Sequence, residues 1–207
     1  MLTVNASTTA WWLRSLHWIN AISMLGLITS GWAIYNAAPF YNFEFPSSWT
    51  LGGYLTSALR WHFFLIWSFT LCTLMLWLTR VTLQTGGPRL WPISLRGLVT
   101  DARAVWGLRL AHRPQTYHHI QRVLYLAVYA LMGLLIVSGL GLWKPVQLQM
   151  ITQALGGYEA CRRWHFWSMW ALVGFTVVHV AMAITVPRTL IAMLLGVSVE
   201  VKSRDHG

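Results

Sequence analysis

Long apolar blocks alternate with shorter polar and aromatic connections along this chain. Four blocks, at residues 13–35, 61–79, 123–143 and 164–186, approach the ~20 residues that a helix rising ~1.5 Å per residue needs to cross a bilayer core. Backbone groups in lipid must find their hydrogen bonds internally, so each block is expected to be a helix. The pattern predicts an all-α integral membrane four-helix bundle, one domain over residues 1–207, with no internal repeat.

Composition agrees with that pattern. Hydrophobic residues make up 56% of the chain and charged residues 10%, too few charges to solvate a soluble domain of this size. The 14 tryptophans and seven tyrosines suit the two membrane interfaces. A net charge of +10 would suggest nucleic acid in a soluble protein. Here Arg14, Arg60, Arg80, Arg122, Arg163 and Arg188 bound the apolar blocks, so no nucleic-acid partner is expected. Arg14, Arg80, Arg89, Arg96, Arg103, Arg109, Arg113, Arg122, Arg188, Lys202 and Arg204 all fall on one side of the four-span scheme. Only Arg60, Lys144, Arg162 and Arg163 fall on the other. The positive-inside rule then puts both termini and the long middle loop in the cytoplasm, as expected for a multi-pass protein of the bacterial inner membrane. The connections at 36–59 and 144–162 face the periplasm. Their prolines, glycines and aromatics make them candidates for ordered caps or docking surfaces. Arg14 and His17 within the first block argue against a cleaved signal peptide.

Two features limit the chemistry. Cys72 and Cys161 stand far apart in the pattern, so no disulfide is expected, and two thiols alone cannot hold an iron–sulfur cluster. No Cys-x-x-Cys-His motif occurs, so any haem is non-covalent. The histidines are the informative residues. Of eight, four lie in the spans: His17, His62, His165 and His179. Intramembrane ionisable groups are costly and mark function by default; the plain alternative is helix packing. Depth separates the two readings. His62 and His165 each follow an arginine by two residues at the outer start of an inward-running span. His17 lies near the cytoplasmic start of the first span, and His179 lies fourteen residues, ~21 Å, deeper than His165 on nearly the same helix face. The depths pair His62 with His165 outside and His17 with His179 inside, as two bis-histidine haems require. Gly26, Ser30, Gly31, Gly133, Ser138, Gly139 and Gly174 offer room beside a porphyrin, although glycines also serve plain helix packing. Arg14, Arg60, Arg163 and Arg122 are candidate partners for its propionates. A structural zinc site needs four ligands close together, which this spread disfavours. His112, His118, His119 and His206 fall in cytoplasmic segments. Among them His118 and His119, with Asn20 and Tyr117, stand where a quinone could exchange protons near the inner pair.

The segments Leu16-His17-Trp18-Ile19-Asn20, Ser30-Gly31-Trp32-Ala33-Ile34-Tyr35-Asn36, Thr50-Leu51-Gly52-Gly53 with Trp61-His62-Phe63, Ser138-Gly139-Leu140 with Trp143-Lys144-Pro145, Gly156-Gly157-Tyr158 with His165-Phe166, and Val178-His179-Val180 with Val186-Pro187-Arg188 carry a family resemblance over almost the whole chain. In their order and spacing the sequence resembles the bacterial cytochrome b561, nickel-hydrogenase cytochrome b and formate dehydrogenase gamma superfamily, and most of all its thiosulfate reductase cytochrome b branch. The resemblance implies two haem b groups ligated by His17, His62, His165 and His179, and electron exchange between quinone and a periplasmic, molybdopterin-type oxidoreductase. It also implies a quinone beside the cytoplasmic haem. Two rivals stay open at this level: a stand-alone quinone-linked oxidoreductase, for example one using superoxide, and a non-redox membrane scaffold.

Overall fold

A computed structural model of the protein describes residues 2–6, 10–84, 89–106, 119–185 and 187–201. Strand β1 (Leu2–Ala6) is followed by helix α1 (Trp11–Ala37) and then α2 (Leu55–Leu76), which continues as a π-helical segment over Trp77–Thr82. Helices α3 (Leu95–Trp106), α4 (His119–Trp143), α5 (Gln149–Ala154), α6 (Tyr158–Thr185) and α7 (Pro187–Leu195) come next, and strand β2 (Val197–Val201) ends the order. The described residues of the four apolar blocks are helical, and each helix starts before its block. The extra turns carry Trp, Tyr, Arg and His, which a hydrophobic window ends on but which a helix accommodates at a membrane interface. Three helical stretches, Leu55–Thr82, His119–Trp143 and Tyr158–Thr185, are long and apolar enough to span a bilayer. Helix α1, with 27 residues, is as long, but His17, Asn20, Ser23, Thr29 and Ser30 interrupt its apolar run. The outward faces carry large exposed apolar side chains, among them Ile22, Leu25, Phe64, Trp67, Leu71, Val177, Val178 and Ile184. Faces of this kind belong against lipid. The chain is a multi-pass membrane protein.

One expectation is corrected. The 80–122 connection is not simply a loop, since α3 forms within it. The arginines read there as an orientation signal lie on an amphipathic helix, with Leu95 and Val99 one turn apart and exposed alongside Arg96 and Arg103, a pattern suited to a membrane surface. The fold class stays all-α, with one short ribbon beside the helices. β1 and β2 pair antiparallel from Leu2 with Val201 to Ala6 with Val197, which brings the two ends of the chain together.

The chain divides into two compact units, Ser15–Leu76, and Met1–Arg14 with Trp77–Gly207. In the first, α1 and α2 are joined by side-chain hydrogen bonds. Asn20 Nδ2 donates to Thr73 Oγ1 at 3.0 Å, and Ser23 and Ser68 hydroxyls meet at 2.7 Å. Polar groups in an apolar surround must be paired in this way. The segment after α1 folds back over its end. Asn36 donates to the Phe45 carbonyl at 2.8 Å and accepts from the Phe45 amide at 2.9 Å. Trp32 stacks on Phe45 at 4.8 Å, and Tyr35 packs against Phe40, Phe43 and Phe45. In the second unit, α4 pairs with α6, and α5 caps the junction between them. There Thr152 Oγ1 donates to the Gly141 carbonyl, and the Cys161 thiol lies 3.1 Å from where a Gly141 Cβ would stand. The connections at 36–59 and 144–162 are thus ordered caps.

A Gly-Gly pair ends each cap, and all four glycines have positive φ: 99° and 69° at Gly52 and Gly53, 93° and 95° at Gly156 and Gly157. A Cβ on Gly52 would come within 2.6 Å of the Ala58 backbone nitrogen, whereas one on Gly53 would meet nothing within 4 Å. Left-handed backbone costs a residue with Cβ ~1–2 kcal/mol, and Gly52 adds a backbone clash. Gly52→Ala is therefore expected to lower the unfolding temperature of detergent-purified protein clearly more than Gly53→Ala. Equal effects would show that the close approach does not matter.

Candidate haem sites

The same construction occurs once in each unit. In the first, Ser30 and Gly31 on α1 face His62 on α2, with Ser30 Oγ 3.0 Å from His62 Nδ1. In the second, Ser138 and Gly139 on α4 face His165 on α6, with Ser138 Oγ 3.0 Å from His165 Nδ1. Both serines are fully buried. A Cβ on Gly139 would lie 3.3 Å from His165 Cε1, a tight approach that the glycine avoids, whereas one on Gly31 would meet His62 Cε1 at an ordinary 3.7 Å. One turn before each histidine stands a fully buried small residue, Ala58 and Cys161 respectively. Seven residues after each stands a buried apolar one, Phe69 and Leu172. These positions share one helix face, the face that packs inward.

This match corrects the expectation of no internal repeat. Leu51-Gly52-Gly53-Tyr54 followed by Arg60-Trp61-His62-Phe63 recurs as Leu155-Gly156-Gly157-Tyr158 followed by Arg163-Trp164-His165-Phe166, with one residue fewer between the two pieces. That one-residue difference, and the scarcity of other identities, hid the repeat from a reading by spans. Ser30 and Ser138 entered that reading only as small residues. The signal that identifies them is Ser-Gly one helix upstream of each repeated Arg-Trp-His-Phe.

The remaining candidates separate by location. His179 stacks on Phe175, one turn earlier on α6, at 5.6 Å, and His17 meets Trp18 edge-on at 5.4 Å. Arg60 and Arg163 are exposed, each two residues before its histidine. Arg122 donates to the Pro92 carbonyl at 2.7 Å. The Arg14 guanidinium lies against Gly196, just after α7. Gly26 packs under Leu65, and Gly133 against Trp77, so these two serve helix packing, while a Cβ on Gly174 would meet nothing within 4 Å. Asn20 is buried and bonded to Thr73. At the start of α4, the His119 amide donates to the Asp101 carboxylate, and His119 Nδ1 lies 3.5 Å from the same oxygen. Asp101 thereby caps α4 from α3. Tyr117, His112, His118 and His206 lie outside the described residues. Among the described residues no three His, Cys, Asp or Glu side chains gather as a protein-only metal cluster would need. Histidines with one nitrogen tied and small residues at the ring edge instead fit axial ligation of a planar group.

The family model for prokaryotic cytochrome b561 matches residues 8–196. The chain belongs to the prokaryotic cytochrome b561 family. Membership implies haem b and electron transport for this cytochrome. It is also 42% identical over 186 residues, 89% of its own length and 94% of the relative's, to a protein of Azospira oryzae named as protein-methionine-sulfoxide reductase subunit YedZ1. That likeness corrects the finer branch expected from sequence, because the relative is named for methionine sulfoxide and not for thiosulfate.

The Asn20 contact has a measurable consequence for the cytochrome. Thr73→Val would strand the buried Asn20 amide, at a cost of ~1–3 kcal/mol. The variant is expected to unfold at lower temperature with unchanged haem absorbance. A selective loss of quinone kinetics at unchanged stability would instead tie Asn20 to quinone.

Proposed function

We propose that this cytochrome is the membrane subunit of a periplasmic protein-methionine-sulfoxide reductase, carrying electrons from quinol to a molybdopterin oxidoreductase bound at the outer face. The observation that carries the reading is the matched pair of serine-tied histidines, each at the outer start of its helix, just past a Gly-Gly turn and an arginine. In this reading α1 is the fourth span and both termini are cytoplasmic. The pairing of the two chain ends in one ribbon supports a common side for them. His62 and His165, equal in depth along their helices, hold an outer haem b, and His17 and His179 hold an inner one.

Bound haem b supplies reversible one-electron chemistry. The chain contributes the four imidazole ligands, with Arg60 and Arg163 placed for propionates at the outer face. The capped connections at 36–59 and 144–162 form the partner's docking surface, where Phe43, Trp49, Tyr54, Val146 and Met150 are exposed. Quinone reaches the cytoplasmic end, where Asp101 and His119 can exchange protons. The relative's name supports the direction of flow. Quinol oxidation releases two electrons and two protons, and reduction of a sulfoxide to a thioether takes up the same number and releases water.

Potentiometric titration of single variants tests the reading. His62→Ala and His165→Ala are expected to lose one and the same component, and His17→Ala and His179→Ala the other, because a ligand cannot shift ~20 Å along a helix. A quinone-analogue inhibitor is expected to shift the component retained in His62→Ala and to leave unchanged the one retained in His17→Ala. Loss of the same component by His17→Ala and His62→Ala would contradict the pairing. An inhibitor shift confined to His17→Ala would move quinone to the outer face.

A further inference from the structure

The two serine–histidine contacts carry more than proximity, because the proton of each hydroxyl can be located. Ser30 Oγ lies 2.7 Å from the Gly26 carbonyl, 3.2 Å from that of Leu27 and 3.0 Å from His62 Nδ1. Ser138 Oγ lies 2.6 Å from the Leu134 carbonyl, 3.3 Å from that of Leu135 and 3.0 Å from His165 Nδ1. A serine hydroxyl has one proton to donate and lone pairs to accept with, whereas a carbonyl oxygen only accepts. In both units the shortest contact runs to the carbonyl four residues back, so the hydroxyl proton is used there. This is the ordinary back-bond of serine in an apolar helix. What remains toward the imidazole is an oxygen lone pair. A contact at 3.0 Å is then a hydrogen bond only if Nδ1 carries the hydrogen. In a neutral imidazole that leaves Nε2 as the nitrogen with the lone pair.

We infer that Ser30 and Ser138 are a matched pair of positioning residues that hold His62 and His165 in the Nδ1–H tautomer, with Nε2 of each presented to iron. The inference rests on the reading of these two histidines as haem ligands. Each contact is built within its own unit, so the two ligands are set independently by the same device. Full burial of both hydroxyls keeps water from competing for Nδ1. Gly139, the next residue along, keeps the Cε1 edge of the His165 ring clear, and a Cβ on Gly31 would meet His62 only in ordinary contact. A hydrogen bond accepted from Nδ1–H raises the electron-donating power of Nε2. A stronger donor favours ferric over ferrous iron, so the serines lower the potential of the group that His62 and His165 bind.

The device does not extend to the inner pair by symmetry. Thirteen residues before the serine, the first unit has His17 and the second has Tyr125. Fourteen residues after the repeated histidine, the second unit has His179 and the first has Leu76. The inner ligands come from non-equivalent positions, so serine variants should act on one redox component alone.

The test uses full-length protein purified in detergent, as Ser30→Ala, Ser138→Ala, the double variant, and Ser30→Thr and Ser138→Thr, which keep a hydroxyl. Haem content, two-component redox titration and the electron paramagnetic resonance of the ferric protein are the readouts. Each alanine variant is expected to raise the potential of the outer component and move its resonance. The double variant should do so further, the threonine variants should return toward wild type, and the inner component should stay where it was. Retention of both haems with no change in the outer potential or resonance overturns the inference. So does an equal change in both components, or loss of the outer haem that threonine does not restore, since packing rather than the hydroxyl would then be responsible. Wild-type protein without haem would fail at an earlier step, because the ligand reading itself would fall.

Discussion

An imidazole placed among apolar helices must have its polar nitrogens satisfied by something other than water. Here a serine on the neighbouring helix does this, once in each unit, and much of the surrounding structure follows from it. The serine is buried and close, and in the second unit a glycine next to it spares the imidazole a tight contact. Each histidine sits in the second or third turn of its helix, and the chain turns sharply just before that helix, where the Gly-Gly pairs with positive φ make the turn. The caps over both turns, aromatic in one unit and helical in the other, hold the helix starts in place.

Three spans were legible in the sequence because an apolar run of about twenty residues has few other uses. Their ends were not, because α2 and α6 begin with turns containing Arg60 and Trp61, or Arg162 and Trp164, which end an apolar window without ending a helix. Helix α3 escaped notice because its arginines were read only as a charge count, although Leu95 and Val99 stand one turn apart between them. The terminal ribbon lies in short segments with no long alternating pattern. The four haem-ligand candidates stood out as ionisable groups within apolar runs. Their serine partners did not, since a contact across thirty-two or twenty-seven residues leaves no local pattern. The placements of Asn20 and Gly26 also needed coordinates, because a buried amide and a small residue look the same in sequence whether they face a cofactor or a neighbouring helix.

The repeat is uneven, and the unevenness suits an electron carrier. His62 and His165 stand at equivalent positions with equivalent serine partners, whereas His17 and His179 have no counterparts in the opposite units. Two groups with differently built ligands can differ in potential, and axial ligands and their hydrogen bonds are the levers that set it. Family membership and the methionine-sulfoxide relative fit a chain whose task is transfer rather than bond-making on the final substrate.

The central claim is that four histidines in two depth-matched pairs hold two groups. Haem content of the purified chain measures this directly, by the pyridine haemochrome method against polypeptide determined by amino-acid analysis. The account predicts two haem b per chain, both extractable with acidified acetone. A value of one or none would contradict it.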